Sequence, residues 1–299
     1  MSDSLNPPPS PQRVYYSTGR MLGVEDFQAE EDYQRGRLAR ALMQICGTGT
    51  VCGLLVETDG NADPTKLEIK VTPGMAIDRV GRIIEVPNTV CIVLQNWLTQ
   101  YVAAWRTQQE GNSPGTAPIA DPNSAIEGGN LVIDVFVSFV GCTRGLTPSF
   151  ATPDNYDATD AFTPNRILDS FAMQLVLRTD AARKTPVDPW ASLGAQQPVL
   201  ASLRQSLLAG SLGPPSTPQA EYPPFTGFDT TSVFLARILV PATAGAALAA
   251  EAAPGTPPNP PTWTLTGLGS ANIDNTSRLF LIPLSLLSRW NGLGSGTES

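Results

Sequence analysis

Five carboxylates crowd one stretch of the chain: Glu25, Asp26, Glu30, Glu31 and Asp32. Two carboxylates held at a fixed separation can cleave a glycosidic bond, one as acid and the other as base or nucleophile. Acids adjacent in sequence fix no such separation. The plain reading is a solvated helix face, and the sharper one a contact surface for another subunit. Asp154, Asp157 and Asp160 recur every third residue, without the ligand spacing of a calcium loop, and read as solvated acids and Asx turns. Gly47-Thr48-Gly49 runs on to Gly53, one residue off the dinucleotide fingerprint and behind a helix rather than a strand; it reads as turn chemistry. Gly141-Cys142-Thr143-Arg144-Gly145 follows an apolar strand and reads as a turn rather than an anion cradle. Nothing matches a P-loop. Cys46 and Cys52 lack the two-residue gap of a zinc knuckle or redox motif. With Cys91 and Cys142 they read as reduced, buried, small apolar residues, a Cys46–Cys52 disulfide being the alternative. The chain contains no histidine, which removes a Ser-His-Asp triad, a His-ligated zinc and a His base. No catalytic, cofactor-binding or metal-ligating residue is therefore assigned, and no cofactor is expected.

The elements that would position any chemistry start with a helix over 26–46. Leu38, Ala41, Leu42 and Ile45 recur on one face, acids precede bases (Arg35, Arg37, Arg40) as the helix dipole favours, Glu31 stands one turn before Arg35, and Gly47 supplies a C-terminal cap. Short strands follow at 50–57, 67–71, 75–78, 82–86 and 89–94, broken by turn residues such as Pro73-Gly74 and Pro87-Asn88. This spacing predicts a small antiparallel sheet or partial barrel. A second helix over 96–108 carries Leu98, Tyr101, Val102 and Trp105 on one side. Residues 131–140 are apolar on both alternating faces and read as a central strand. Strands are expected at 166–178, 232–240 and 262–266, and helices at 199–208 and 277–290.

Composition narrows the class further. The 299 residues hold 19 basic and 27 acidic side chains, a net charge of −8, with only 15% charged residues, 28 prolines and 26 glycines. This balance argues against nucleic acid as a partner. No signal-like segment and no 18-residue apolar run is present. The expected compartment is the cytoplasm, without direct membrane insertion. The fold class expected is β-rich α+β. Residues 1–12 form an extended Pro-rich arm, 13–110 a helix-plus-antiparallel-sheet docking module, 111–127 a linker, 128–290 a β-rich assembly domain with long Pro-rich loops, and 291–299 a flexible tail. The long, charge-poor loops at 111–129, 212–224 and 242–261 suit surfaces covered by neighbouring subunits.

One passage is more specific. It runs from Tyr15-Tyr16-Ser17-Thr18-Gly19-Arg20-Met21-Leu22-Gly23-Val24-Glu25-Asp26-Phe27, through Gly47-Thr48-Gly49-Thr50-Val51-Cys52-Gly53-Leu54, to Thr72-Pro73-Gly74-Met75-Ala76-Ile77-Asp78-Arg79-Val80-Gly81-Arg82-Ile83. This resembles a module of phage-tail and contractile-injection-system proteins, found in baseplate-associated and fibre-like components. The resemblance covers about residues 15–90. Its motif positions here are Gly19, Leu22, Asp26, Phe27, Gly47, Gly49, Gly53, Pro73, Gly74, Asp78, Gly81 and Arg82. Their chemistry is structural: glycines for tight reversals, a Pro-Gly turn, and an Asp78–Arg82 pair across a hairpin, expected to be exposed and worth under about 1 kcal/mol. The resemblance implies a structural subunit at or near a baseplate, a homo-oligomer packed against other baseplate or tail subunits. The alternatives are a receptor- or glycan-binding fibre component, whose second half would be the binder, and a carboxylate-dependent wall hydrolase drawing on Glu30 or Glu31.

Overall fold

The computed structural model describes residues 13–60, 63–109, 126–127, 129–148, 162–178, 228–244 and 263–281. The arm at 1–12, the Asp154–Asp160 acids, the helix expected at 199–208, the loop at 212–224 and the tail at 291–299 lie outside them. The described chain has two α-helices and twelve short or long strands, all strand pairs within its sheets being antiparallel. It is a β-rich α+β fold.

Helix α1 spans Val24–Ile45. Its first turn is tied by the Asp26 carboxylate, which accepts the Gly23 N–H at 3.0 Å. It ends at Gly47, whose φ of 83° is reached through N–H bonds from Cys46 to the Leu42 carbonyl and from Gly47 to the Met43 carbonyl. The face it buries differs from the expectation. Gly36 and Ala39 are buried, whereas Leu38 and Ile45 are 57% and 80% exposed. Small side chains win because the helix backbone itself meets a turn: a Cβ on Gly81 would collide with the Ala39 carbonyl.

The strand expected over 50–57 is two strands. β1 (Gly49–Gly53) and β2 (Val56–Thr58) enter different sheets, and the chain swings between them at Leu54, buried and in the left-handed region at φ 55°. β1 pairs with β4 (Gly74–Ile77), and β4 with β5 (Ile83–Val86). β2 pairs with β3 (Glu68–Val71), and β3 with β6 (Val90–Val93). Helix α2, Leu94–Gln109, then buries Leu98 and Trp105 and half-buries Tyr101 and Val102, as its periodicity predicts.

The larger sheet is centred on β8 (Asn130–Pro148), flanked by β10 (Val233–Ala244) on one side and by β9 (Phe162–Leu177) with β7 (Ile126–Glu127) on the other. β11 (Trp263–Leu265) and β12 (Ile273–Asp274) pair with the outer edge of β10. Both faces of β8 are covered. Leu131, Ile133, Val135 and Val137 join a cluster that also holds Leu54, Ile69, Leu98, Leu235 and Ile238. Phe136 packs opposite with Val176, Phe228 and Phe234, its ring 4.9 Å edge-on from Phe228. One apolar cluster thus runs through residues of both the 13–110 and the 128–290 segments.

Three further expectations are corrected. Residues 141–145 are not a turn: β8 continues through them, Gly145 facing Asn165 at φ 68°. Residues 277–281 are not helical: the backbone runs beside β1, with Thr50 N–H donating to the Leu279 carbonyl and Leu281 N–H to the Thr50 carbonyl, both at 2.8 Å. A helix would have used those groups internally. Finally, the four cysteines are free, but Cys46, Cys52 and Cys91 are exposed, because each stands on the solvent side of a helix end or edge strand.

Candidate functional site

The motif residues fall into two groups. Gly47, Gly49, Gly53, Pro73, Gly74, Asp78, Gly81 and Arg82 gather around the β1–β4–β5 sheet, while Gly19, Leu22, Asp26 and Phe27 sit together at the start of α1. In the first group, Gly53 pairs with Gly74 across β1 and β4. Gly53 has φ 62°, and a Cβ there would land on the Pro73 carbonyl, so the spacing of the two glycines is set by backbone meeting backbone.

Asp78 closes the β4–β5 hairpin. Its Oδ1 accepts the N–H groups of Val80 (3.0 Å) and Arg82 (2.8 Å), and its Oδ2 accepts Arg82 Nε at 2.5 Å. The pair was expected to be exposed; Asp78 is instead wholly buried and the Arg82 side chain only 15% exposed. The reason is what Arg82 touches. Its Nη2 donates to Thr231 Oγ1 at 2.7 Å, and its guanidinium lies 4.9 Å from the Phe139 ring centroid. Arg79 beside it donates to the Thr230 carbonyl at 3.3 Å. The hairpin is thus a joint between the first sheet, strand β8 and the turn that leads into β10. Burial pushes the Asp78 carboxyl above its ordinary range, against the pull of the Arg82 guanidinium and the N–H groups.

A second joint comes from residues 274–281. Asn275 offers its amide to β2 as a strand would: Oδ1 accepts the Val56 N–H at 3.0 Å and Nδ2 donates to the Val56 carbonyl at 2.9 Å. Arg278, 2% exposed, donates from Nη1 to the Leu54 carbonyl at 2.7 Å and from Nε to the Asn275 carbonyl at 2.9 Å, which holds Leu54 in its left-handed conformation. Burial brings Arg278 down to about 10, with Asp274 opposing, so it stays charged at neutral pH. Asp274 is itself raised by burial but held below its usual value by the hydroxyls and N–H groups of Ser277 and Thr276.

A third cluster sits inside the large sheet. Asp134, fully buried, takes a fork from Arg237 (Nε to Oδ1 2.7 Å, Nη2 to Oδ2 2.9 Å) and a third bond from Arg178 Nη1 at 2.6 Å. Of these, only the Asp78–Arg82 pair was identified from the sequence, without its partners Thr231 and Phe139; the Arg278 joint and the Asp134 cluster were not. The signal present was a lone charge in an apolar strand: Asp134 and Arg237 each stand in one and are cross-strand partners.

The second group of motif residues faces solvent. Gly19 turns the chain at φ 84°, Arg20 clasps Asp26 at 2.8 Å and the Tyr15 carbonyl at 3.0 Å, and Met21, Val24 and Phe27 are 93%, 72% and 59% exposed. The outer half of the β8–β9 hairpin is likewise a two-stranded ribbon that leaves Leu146, Ile167 and Leu168 exposed. Its Arg144 and Arg166 oppose each other across the strands, a like-charge pairing that disfavours the ribbon standing alone.

No family model matches this chain, and no curated protein matches it. Among solved structures, the crystal structure of TssK is similar at 12% identity over 57% of this chain and 35% of that one, with a TM-score of 0.28. The chain thus spans about a third of that structure. Among the described residues, no three His, Cys, Asp or Glu side chains gather as a metal site and no helix is long and apolar enough to cross a membrane.

Two substitutions test the joints. Gly81→Ala is expected to lower stability by more than Gly19→Ala, although both glycines lie in the left-handed region, at φ 88° and 84°. Each bears about 1–2 kcal/mol of backbone strain, but a Cβ at Gly19 meets open space, whereas one at Gly81 meets the Ala39 backbone. Equal urea midpoints would refute the contact. Arg278→Lys is expected to cost about 2–3 kcal/mol, because an ammonium cannot span the Leu54 and Asn275 acceptors as the planar guanidinium does. Urea unfolding reads the loss, and faster amide exchange at Thr50 and Leu281 would localise it.

Proposed function

We propose that this chain is a structural subunit of a phage-tail-like contractile injection particle, assembled in the cytoplasm at or near the baseplate, and that it performs no catalysis of its own. The observation that carries the reading is the division of labour within the 15–90 motif. Its glycines and the Asp78–Arg82 pair are spent on a rigid joint, while Leu22, Phe27 and their neighbours Met21 and Val24 are held out to solvent. Side chains of that size on a firmly anchored element suit a surface that another subunit covers. The exposed ribbon of β8 and β9 supports the same reading, since a two-stranded hairpin is marginal in water unless something packs on it.

The test is the inventory of proteins that co-purify with the full chain from cells that make it. Sheath, tube and spike proteins are expected in it. A freely soluble chain that brings down none of them, even after cross-linking in the cell, would sink the proposal. Cell-wall turnover by the purified chain would sink its non-catalytic part.

A further inference from the structure

Helix α1 turns one exposed face away from its own body, apolar at Val24, Phe27, Leu38 and Ala41 and polar at Glu31 and Gln34 between them. Val24, Phe27, Glu31, Gln34, Leu38 and Ala41 share one face at the 3.6-residue period, and all are exposed. The buried Gly36 and Ala39 lie on the other side. Written as a heptad, this face places Val24, Glu31 and Leu38 at a and Phe27, Gln34 and Ala41 at d. The helix is also divided in charge: Glu25, Asp26, Glu30, Glu31 and Asp32 fill its first half, and Arg35, Arg37 and Arg40 follow.

We infer that this face is covered by the same helix of a second copy of this chain, running antiparallel, with Phe27 of each copy against Leu38 of the other. The assignment rests on charge. In that register Val24 meets Ala41, and Glu31 meets Gln34 at the centre, where an acid and an amide can hydrogen-bond. The flanking g positions bring Glu30 opposite Arg37, twice by symmetry. Sliding by one heptad, so that Phe27 meets Ile45, puts Arg37 against Arg37. A parallel pair puts Glu31 against Glu31 inside the seam. Both arrangements set like charges together, so negative terms single out one geometry. Among the described residues, each body packs on the Gly36–Ala39 side of its own helix, away from this face. The acidic first half of each helix then lies on the basic second half of the other copy. This inference stands apart from the particle reading and can fail or hold independently of it.

Sedimentation of the full purified chain is expected to show a concentration-dependent dimer. Phe27→Ser, at an exposed position that leaves the fold intact, is expected to give monomer. Arg37→Glu turns two attractive g-position pairs repulsive and is expected to raise the dimer dissociation constant about tenfold, at about 0.3–0.5 kcal/mol for each gain or loss. Adding Glu30→Arg to the same chain restores the pairing with signs exchanged and is expected to recover the dimer. In a background with Cys46, Cys52, Cys91 and Cys142 all changed to Ala, since the first three are exposed thiols, chains carrying Val24→Cys and chains carrying Ala41→Cys are expected to cross-link to each other on oxidation and not to themselves. A monomer at all concentrations, a trimer, self-linking of the Val24→Cys chain, or failure of the Glu30→Arg reversal to rescue would each overturn the inference.

Discussion

Asp134→Ala is expected to cost about 3–5 kcal/mol, the size seen when one member of a buried ion cluster is removed. Asp134 is fully buried and serves two guanidiniums at once, Arg237 through a two-pronged fork and Arg178 through a single bond. Both arginines are themselves nearly inaccessible. Removing the carboxylate leaves two desolvated positive charges without the anion they share, and it does so where β8, β9 and β10 meet. A domain of this size holds about 5–15 kcal/mol in all, so the variant should unfold at a far lower denaturant concentration, with an unchanged slope if the surface exposed on unfolding is the same. The cluster itself need not be net stabilising. Replacing all three residues by apolar ones of similar volume, Asp134→Leu with Arg178→Met and Arg237→Met, is expected to recover most of the loss. A cost under about 1 kcal/mol for Asp134→Ala would mean that water reaches the guanidiniums. Failure of the triple change would mean that the cluster fixes strand register rather than merely neutralising its own charges.

What could be read from the residues, and what could not, follows from how far each determinant reaches along the chain. Strands β3 to β6 lie close to their sequence-based bounds because alternation and turn residues act within a few positions. So does α2, whose apolar face is the one that packs. α1 shows where such reasoning stops. Its Leu38–Ile45 stripe is a true amphipathic signal, but amphipathicity says only that a face prefers cover. It does not say that the cover is the helix's own body, and here the body takes Gly36 and Ala39 instead. Residues 277–281 illustrate the long-range limit. Nothing within their own window tells that Thr50 will supply their backbone partner, or that Arg278 will reach a carbonyl 224 positions away. The Asp78–Arg82 pair was legible as a pair from its spacing. Its burial was not, because burial depends on Thr231 and Phe139, which no local pattern brings alongside.

That burial makes Asp78 the second large test. Asp78→Ala is expected to cost about 3–5 kcal/mol, against the under 1 kcal/mol of an exposed pair, and urea unfolding separates the two. The carboxylate satisfies three donors, the N–H groups of Val80 and Arg82 and the Arg82 side chain. Without it, Arg82 keeps its bond to Thr231 but loses its counter-charge in a site that is almost closed to water. The joint between the β4–β5 hairpin and the large sheet should therefore loosen before the rest of the fold, visible as faster amide exchange in Ile83–Val86. Acid titration gives an independent check with a definite sign. Burial raises the Asp78 carboxyl above 3.8 in the folded chain, so the folded state takes up this proton at a higher pH than the unfolded one. By linkage, that titration adds stability as the pH falls through the folded value and is complete below 3.8. Asp78→Asn cannot titrate and lacks this gain, so the stability difference between the natural chain and Asp78→Asn should grow on acidification. A difference that shrinks instead would mean that Arg82, rather than burial, sets the proton affinity of Asp78, and the joint would then be held chiefly by the ion pair.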